Sequence, residues 1–121
     1  MSELLKTKKD MREFKKWIIA LRSGEYKQTR WALENDLGFC SLGLACKTLI
    51  PEKHLVLNHA EFIFGTCPTR QTNAPKWLKE IDDDFMLKTS KYLTRLNDDE
   101  KFTFNEIADC LEAVYIHKVL D

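Results

Sequence analysis

Trp17-Ile18-Ile19-Ala20-Leu21-Arg22-Ser23-Gly24-Glu25-Tyr26-Lys27-Gln28 reads as the end of an amphipathic helix, a glycine stop and a polar segment opening on an aromatic. Working back from it, Phe14, Trp17, Ile18 and Leu21 recur at i, i+3, i+4 and i+7, the spacing that gathers apolar side chains on one helical face. Lys15, Lys16 and Arg22 lie off that stripe. Asp10 and Glu13 supply a start signal at the entrance of the helix, which leaves residues 1–9 as a loose basic lead-in. Gly24 suits the stop because glycine tolerates the left-handed conformation found just past helix ends.

Working forward, residues 26–33 are expected to be extended, with Tyr26, Gln28 and Arg30 alternating with Lys27, Thr29 and Trp31. Glu34-Asn35-Asp36-Leu37-Gly38 has the composition of a turn. Phe39 to Leu49 reads as a strand running into a buried helix, with Ser41, Gly43 and Ala45 small enough for close packing, and Pro51 interrupts it. His54 to Ala60 reads as loop or short strand, and Glu61-Phe62-Ile63-Phe64 as a buried strand. Pro75 opens a helix with Trp77, Leu78 and Ile81 on its apolar face, and Met86 to Leu96 reads as another. Thr103-Phe104-Asn105-Glu106 is a capping box. The stripe Phe104, Ile107, Ala108, Leu111, Val114, Tyr115 and Val119 then marks a final helix. The expected fold is a single compact α+β domain over residues 1–121, mostly helical, with a small antiparallel sheet within residues 26–66.

The bulk numbers fit one domain: 121 residues, 44% of them hydrophobic, can bury a core without metal or disulfide support. Nineteen basic and nineteen acidic residues cancel. They are unevenly placed. Residues 1–30 hold nine Lys/Arg against four acids, and residues 79–121 hold six against eleven. The two ends either attract each other or form separate faces, and a basic face near the first helix is suited to receive an anion. No apolar run is long enough to span a bilayer and no signal peptide precedes the first helix, which predicts a cytoplasmic protein with four reduced cysteines.

The chemistry-bearing residues do not form a catalytic signature. Cys40, Cys46, Cys67, His54 and His59 lack the paired spacings of structural zinc sites, so no metal is expected. Cys40 precedes a helix start, where a thiolate is stabilised, and His59 is the base that a Cys-dependent enzyme would use. The acidic runs Asp82-Asp83-Asp84 and Asp98-Asp99-Glu100 read as helix-boundary caps or solvated faces. The four glycines fit no phosphate-binding loop, so no cofactor is implied. Nucleic-acid binding rests on the basic N-terminal third with Trp17, Tyr26 and Trp31 interleaved, and is disfavoured by the neutral balance and by Trp17 lying on the apolar stripe. Arg22, Tyr26, Gln28, Arg30 and Asn97 are the candidate ligand-binding residues, since arginine forks and amides suit a small anionic or nucleotide ligand. Each also has an ordinary structural reading, as a helix cap, a packing residue or a turn.

Three blocks carry a resemblance: Trp17 to Gln28; Phe39-Cys40-Ser41-Leu42-Gly43-Leu44-Ala45-Cys46; and Leu96-Asn97-Asp98 with Phe104-Asn105-Glu106-Ile107-Ala108-Asp109. Together they resemble a family of small bacteriophage- and prophage-encoded proteins with W-x-x-A-L-R-S-G-x-Y-x-Q, C-C-L-G-V-x-C and L-N-D…F-x-x-I-A-D blocks. The match covers residues 13–49 and 89–113, and Ser41 stands where the second cysteine of the family's block falls. The resemblance implies a non-enzymatic phage accessory protein that binds a host protein, in counter-defence or host takeover. The alternatives are a homo-oligomeric sponge for a small anionic nucleotide signal and a small enzyme built on Cys40.

Overall fold

The computed structural model describes residues 4–29, 34–35, 38–50 and 74–118. Among these the chain is mostly helical. In order come α1 (Lys8–Arg22), β1 (Glu34–Asn35), β2 (Gly38–Phe39), α2 (Ser41–Leu49), α3 (Lys76–Thr89), α4 (Leu93–Asp98) and α5 (Phe104–Tyr115).

Helix α1 starts earlier than the Asp10–Glu13 reading. Thr7 is the N-cap: its Oγ1 accepts from Asp10 N at 3.0 Å, and Asp10 Oδ2 accepts from Thr7 N at 3.3 Å. This reciprocal box satisfies donors that the first turn leaves open. Lys8 and Lys9 therefore belong to the helix, and just ahead of the helix Leu5 is buried in the core. At the other end Ser23 is the C-cap and Gly24, at φ +76°, takes the left-handed turn expected of it.

Of the segment expected to be extended over residues 26–33, residues 26–29 are described. Thr29 N donates to Phe39 O at 2.7 Å and Phe39 N donates to Lys27 O at 2.8 Å, which makes a parallel bridge at Gln28. Gly38 sits so close to this strand that a Cβ there would lie 2.1 Å from Lys27 O. β1 and β2 pair antiparallel over two residues each. This is too little to form a layer, so the described part of the molecule is a helical assembly with a small extended patch. The loop or short strand expected in His54–Ala60 and the buried strand expected in Glu61–Phe64 lie outside the described residues.

A second correction concerns residues 76–98. The separate helix expected over Met86–Leu96 is the end of α3 followed by α4. Helix α3 stops at Ser90, a left-handed C-cap at φ 70°. Thr89 Oγ1 donates to Phe85 O and accepts from Lys91 N, holding the turn. The chain restarts at Leu93 because Asp82 reaches across from α3. Its carboxylate accepts from Thr94 N at 3.3 Å and Thr94 Oγ1 at 3.1 Å. The Asp82–Asp84 run is thus mid-helix rather than at a boundary, and Asp82 caps a neighbouring helix through space. Helix α5 begins at the predicted Thr103–Glu106 capping box.

The core joins all five described helices. Phe14, Trp17, Trp77 and Tyr115 form an aromatic cluster with ring centroids 5.7–6.1 Å apart. Each polar ring tip finds an acceptor, as a buried indole or phenol requires. Trp17 Nε1 donates to Ser41 O at 3.0 Å, Trp77 Nε1 to Glu13 Oε1 at 3.2 Å, and Tyr115 Oη to Asp84 Oδ2 at 2.7 Å.

Burial pushes the Asp82 carboxyl above the ordinary carboxylate range, against its bonds from Thr94. The folded state therefore penalises the charge: this contribution favours folding below the ordinary carboxylate range and fades as pH rises through the raised value. Asp82→Asn keeps an acceptor for Thr94 N and removes the buried charge. We expect it to be near neutral at pH 7, whereas Asp82→Ala costs about 1–2 kcal/mol by loss of the cap. On acidification the native chain should gain stability relative to the Asn variant, as Asp82 takes up its proton. Urea melts of both variants at two pH values measure it.

Candidate functional site

The candidate ligand residues do not converge. Arg22, at the end of α1, is spent on α5: its Nη2 donates to Asp109 Oδ1 at 2.7 Å and also to Glu112 Oε1. Tyr26 is half-buried with its ring edge-on to Phe39 at 6.0 Å. Arg30 lies outside the described residues.

Gln28 and Asn97 do meet, 69 residues apart in sequence, with Gln28 Nε2 donating to Asn97 Oδ1 at 2.8 Å and to Phe102 O at 2.7 Å. Asn97 is fully buried. Its Oδ1 also accepts from Ser41 N at 3.2 Å, an open donor in the first turn of α2. Its Nδ2 donates to Thr29 O at 2.9 Å and to Asp98 Oδ1 at 2.8 Å. An amide has two lone pairs and two N–H donors, and all four are occupied. Asn97 has no hydrogen-bonding capacity left for a ligand. It ties α4, the extended segment and the start of α2 into one network.

Cys40 is the N-cap of α2, as the sequence suggested, and its Sγ accepts from Gly43 N at 3.3 Å. The helix start does not activate it. The side chain is buried, and desolvation, opposed by the Gly43 bond, pushes its pKa up to about 12. A thiol in that state is neutral at pH 7. Cys46 is buried as well, and Cys110 is half-buried with its pKa also raised by burial and by Asp109 and Glu106. We expect native alkylation to label Cys110 slowly and to spare Cys40 and Cys46 until urea unfolds the chain, read as mass added per peptide. His54, His59 and Cys67 lie outside the described residues. Among the described residues no group of three His, Cys, Asp or Glu side chains is placed to hold a metal ion.

A pocket of about 360 Å³ opens between α3, α4 and α5. Phe85, Leu96, Phe102, Ala113 and Val114 make its walls, and its two charged residues are already paired. Lys91 Nζ lies 2.7 Å from Glu100 Oε1, and Asp109 is held by Arg22. Such walls offer nothing to a phosphate.

The surface feature that stands out is the exposed face of α1. Lys8, Lys9, Arg12, Lys15, Lys16, Ile19 and Arg22 share an arc of about 140° at 100° per residue. Arg22 is paired. The side chains of Lys8, Lys9, Arg12, Lys15 and Lys16 are exposed and make no ion pair among the described residues. Ile19 lies among them at 69% exposure. The sequence contained the signal, since Ile19 falls outside the i, i+3, i+4, i+7 pattern of the buried face. A second bare aliphatic, Leu87 at 82% exposure, marks the outer face of α3, and the sequence reading did not single it out.

A family profile described as a domain of unknown function (DUF8296) matches residues 8–115. No curated protein and no solved structure matches the chain. Among the described residues no helix is long and apolar enough to cross a membrane.

Proposed function

Because the chain belongs to the DUF8296 family, a domain of unknown function, we propose its role from its own surface: a non-catalytic docking protein whose α1 binds an acidic patch on another protein. The observation that carries this reading is the row of unpaired cations on α1 with Ile19 among them. Cations left without partners attract an oppositely charged surface and speed encounter with it. The bare isoleucine supplies an apolar contact that a phosphate backbone would not use. Trp17 is buried and Tyr26 packs on Phe39, so neither is free to stack on bases beside the basic row.

The three-block resemblance extends the proposal: the gene is of phage or prophage origin, the protein works in the bacterial cytoplasm, and the partner is a host protein bound in counter-defence or takeover. We also propose that residues 26–66 complete a small antiparallel sheet around β1 and β2, giving an α+β class. Alternating amide-exchange protection across 52–66 supports that class, and uniformly fast exchange there overturns it.

The test of function is paired affinity capture from bacterial lysate with the native chain and an Arg12→Glu, Lys15→Glu variant, each with and without nuclease. The expected result is a stoichiometric protein retained by the native chain, resistant to nuclease, eluted by salt, and bound at least about tenfold less by the variant. Equal retention by the variant, or retention abolished by nuclease, overturns the reading. Native mass spectrometry with a nucleotide pool covers the sponge alternative: a stoichiometric added mass would displace the docking reading.

A further inference from the structure

Helix α3 exposes a row that mirrors the one on α1. Lys76, Glu80, Asp83 and Leu87 are all exposed, at spacings of four, three and four residues. Lys8, Arg12, Lys15 and Ile19 on α1 are exposed at the same spacings. The two middle positions carry opposite charge in the two rows, and both rows end on the bare aliphatics Ile19 and Leu87. Among the described residues neither Glu80 nor Asp83 makes an ion pair. The α3 row also forms one bank of a groove of about 370 Å³, with Leu4 and Lys6 on the other bank.

The two rows cannot meet within one chain. Helices α1 and α3 face each other through Phe14, Trp17 and Trp77, with Trp77 Nε1 bonded to Glu13, and these residues lie on the inner sides of both helices. The exposed rows therefore point outward.

We infer that α1 of one copy lies along α3 of a second copy, the helices parallel, with Ile19 against Leu87, Arg12 against Glu80 and Lys15 against Asp83. Parallel direction follows from the aliphatics. The spacings of four, three and four read the same in both directions, so a reversed α1 would still set Arg12 on Asp83 and Lys15 on Glu80, but it would part the two aliphatics, leaving Ile19 against Lys76 and Leu87 against Lys8. In the parallel arrangement the one like-charge pair, Lys8 with Lys76, falls at the far end, where water screens it. The contact joins unlike surfaces, so each copy offers both halves. It goes beyond the partner reading and does not depend on it. It uses the same α1 face, so a partner protein and a second copy would compete.

Charge-swap complementation tests it, by sedimentation equilibrium at about 0.02 M and about 0.5 M salt. The native chain should show a mass that rises with concentration at low salt and returns to the monomer at high salt. Arg12→Glu with Lys15→Glu, and separately Glu80→Lys with Asp83→Lys, should each be monomeric. Mixing those two variants, or placing all four changes in one chain, should restore association. Ile19→Asn should weaken it at low salt. All positions are exposed, so thermal melts should match the native chain and separate lost association from lost folding. A native chain monomeric at low salt overturns the inference, as does association that survives either single swap or is not restored by the fourfold one. None of these outcomes bears on capture of a partner protein.

Discussion

Asn97→Ala is expected to cost about 3–5 kcal/mol, against a total stability of about 5–15 kcal/mol for an ordinary small domain. The side chain is small, so the loss is not mainly one of packing. The change removes four hydrogen bonds at once and strands groups that cannot reach water. Ser41 N sits in a buried first turn of α2 and loses its acceptor, and Thr29 O loses its donor in a residue only 5% exposed. Each stranded buried group costs about 1–3 kcal/mol. Gln28 is partly spared, because its amide still donates to Phe102 O. Asn97→Asp separates the acceptor half of the network from the donor half. It keeps an oxygen for Gln28 and Ser41 but turns a second oxygen toward Thr29 O and Asp98 Oδ1. We expect it to be at least as damaging as alanine at pH 7 and to recover partly in acid, as the buried carboxylate protonates. Urea unfolding followed by circular dichroism at neutral and acid pH measures all three chains. An Asn97→Ala loss under about 1 kcal/mol would mean that water reaches these groups and that the network is not the tie described.

That side chain also shows where the sequence was readable. Local features were legible because their causes are local. The capping box at Thr103–Glu106 needs only two side chains three residues apart, and the Gly24 stop needs only a missing Cβ. The stripe on α1 was legible for the same reason, and its buried residues are the ones the period selects. Asn97 was singled out as a ligand residue or turn because its polar valences had no visible partners. Those partners are Gln28, Thr29 and Ser41, 56 to 69 residues away. Asp82 misled for a related reason: a carboxylate that caps a helix twelve residues further on looks, in sequence, like a solvated acid. Cys40 was placed correctly at a helix start, but a helix start stabilises a thiolate only where the charge can also be solvated. Burial decides that, and burial is a property of the whole fold. The docking surface had the opposite problem. Its cations were visible, but whether they were paired depends on which acids the fold brings near them.

Trp17→Ala is expected to cost about 3–5 kcal/mol and to leave little native structure at 37 °C. The indole is wholly buried at the meeting of α1, α2 and α3, against Phe14 at 6.1 Å and Trp77 at 6.0 Å. Its loss opens a cavity whose other walls are held in place by separate helices, so the site cannot close over it cheaply. Trp17→Phe separates volume from hydrogen bonding. It keeps most of the ring and loses the bond to Ser41 O, a carbonyl already positioned for its own helical bond, and should cost about 1–2 kcal/mol. The control is two residues away. Ile19 is also a large apolar residue of α1, but at 69% exposure it has little burial to lose. Ile19→Ala should change stability by no more than about 0.5 kcal/mol. Denaturant midpoints of the three variants then decide which face of α1 builds the fold. A large Trp17 effect beside a negligible Ile19 effect leaves Ile19 without a folding role. Its place on the outer face among the unpaired cations then leaves it open to a contact outside its own chain. An Ile19 effect as large as that of Trp17 would instead put the outer face of α1 inside the fold and remove the docking surface altogether.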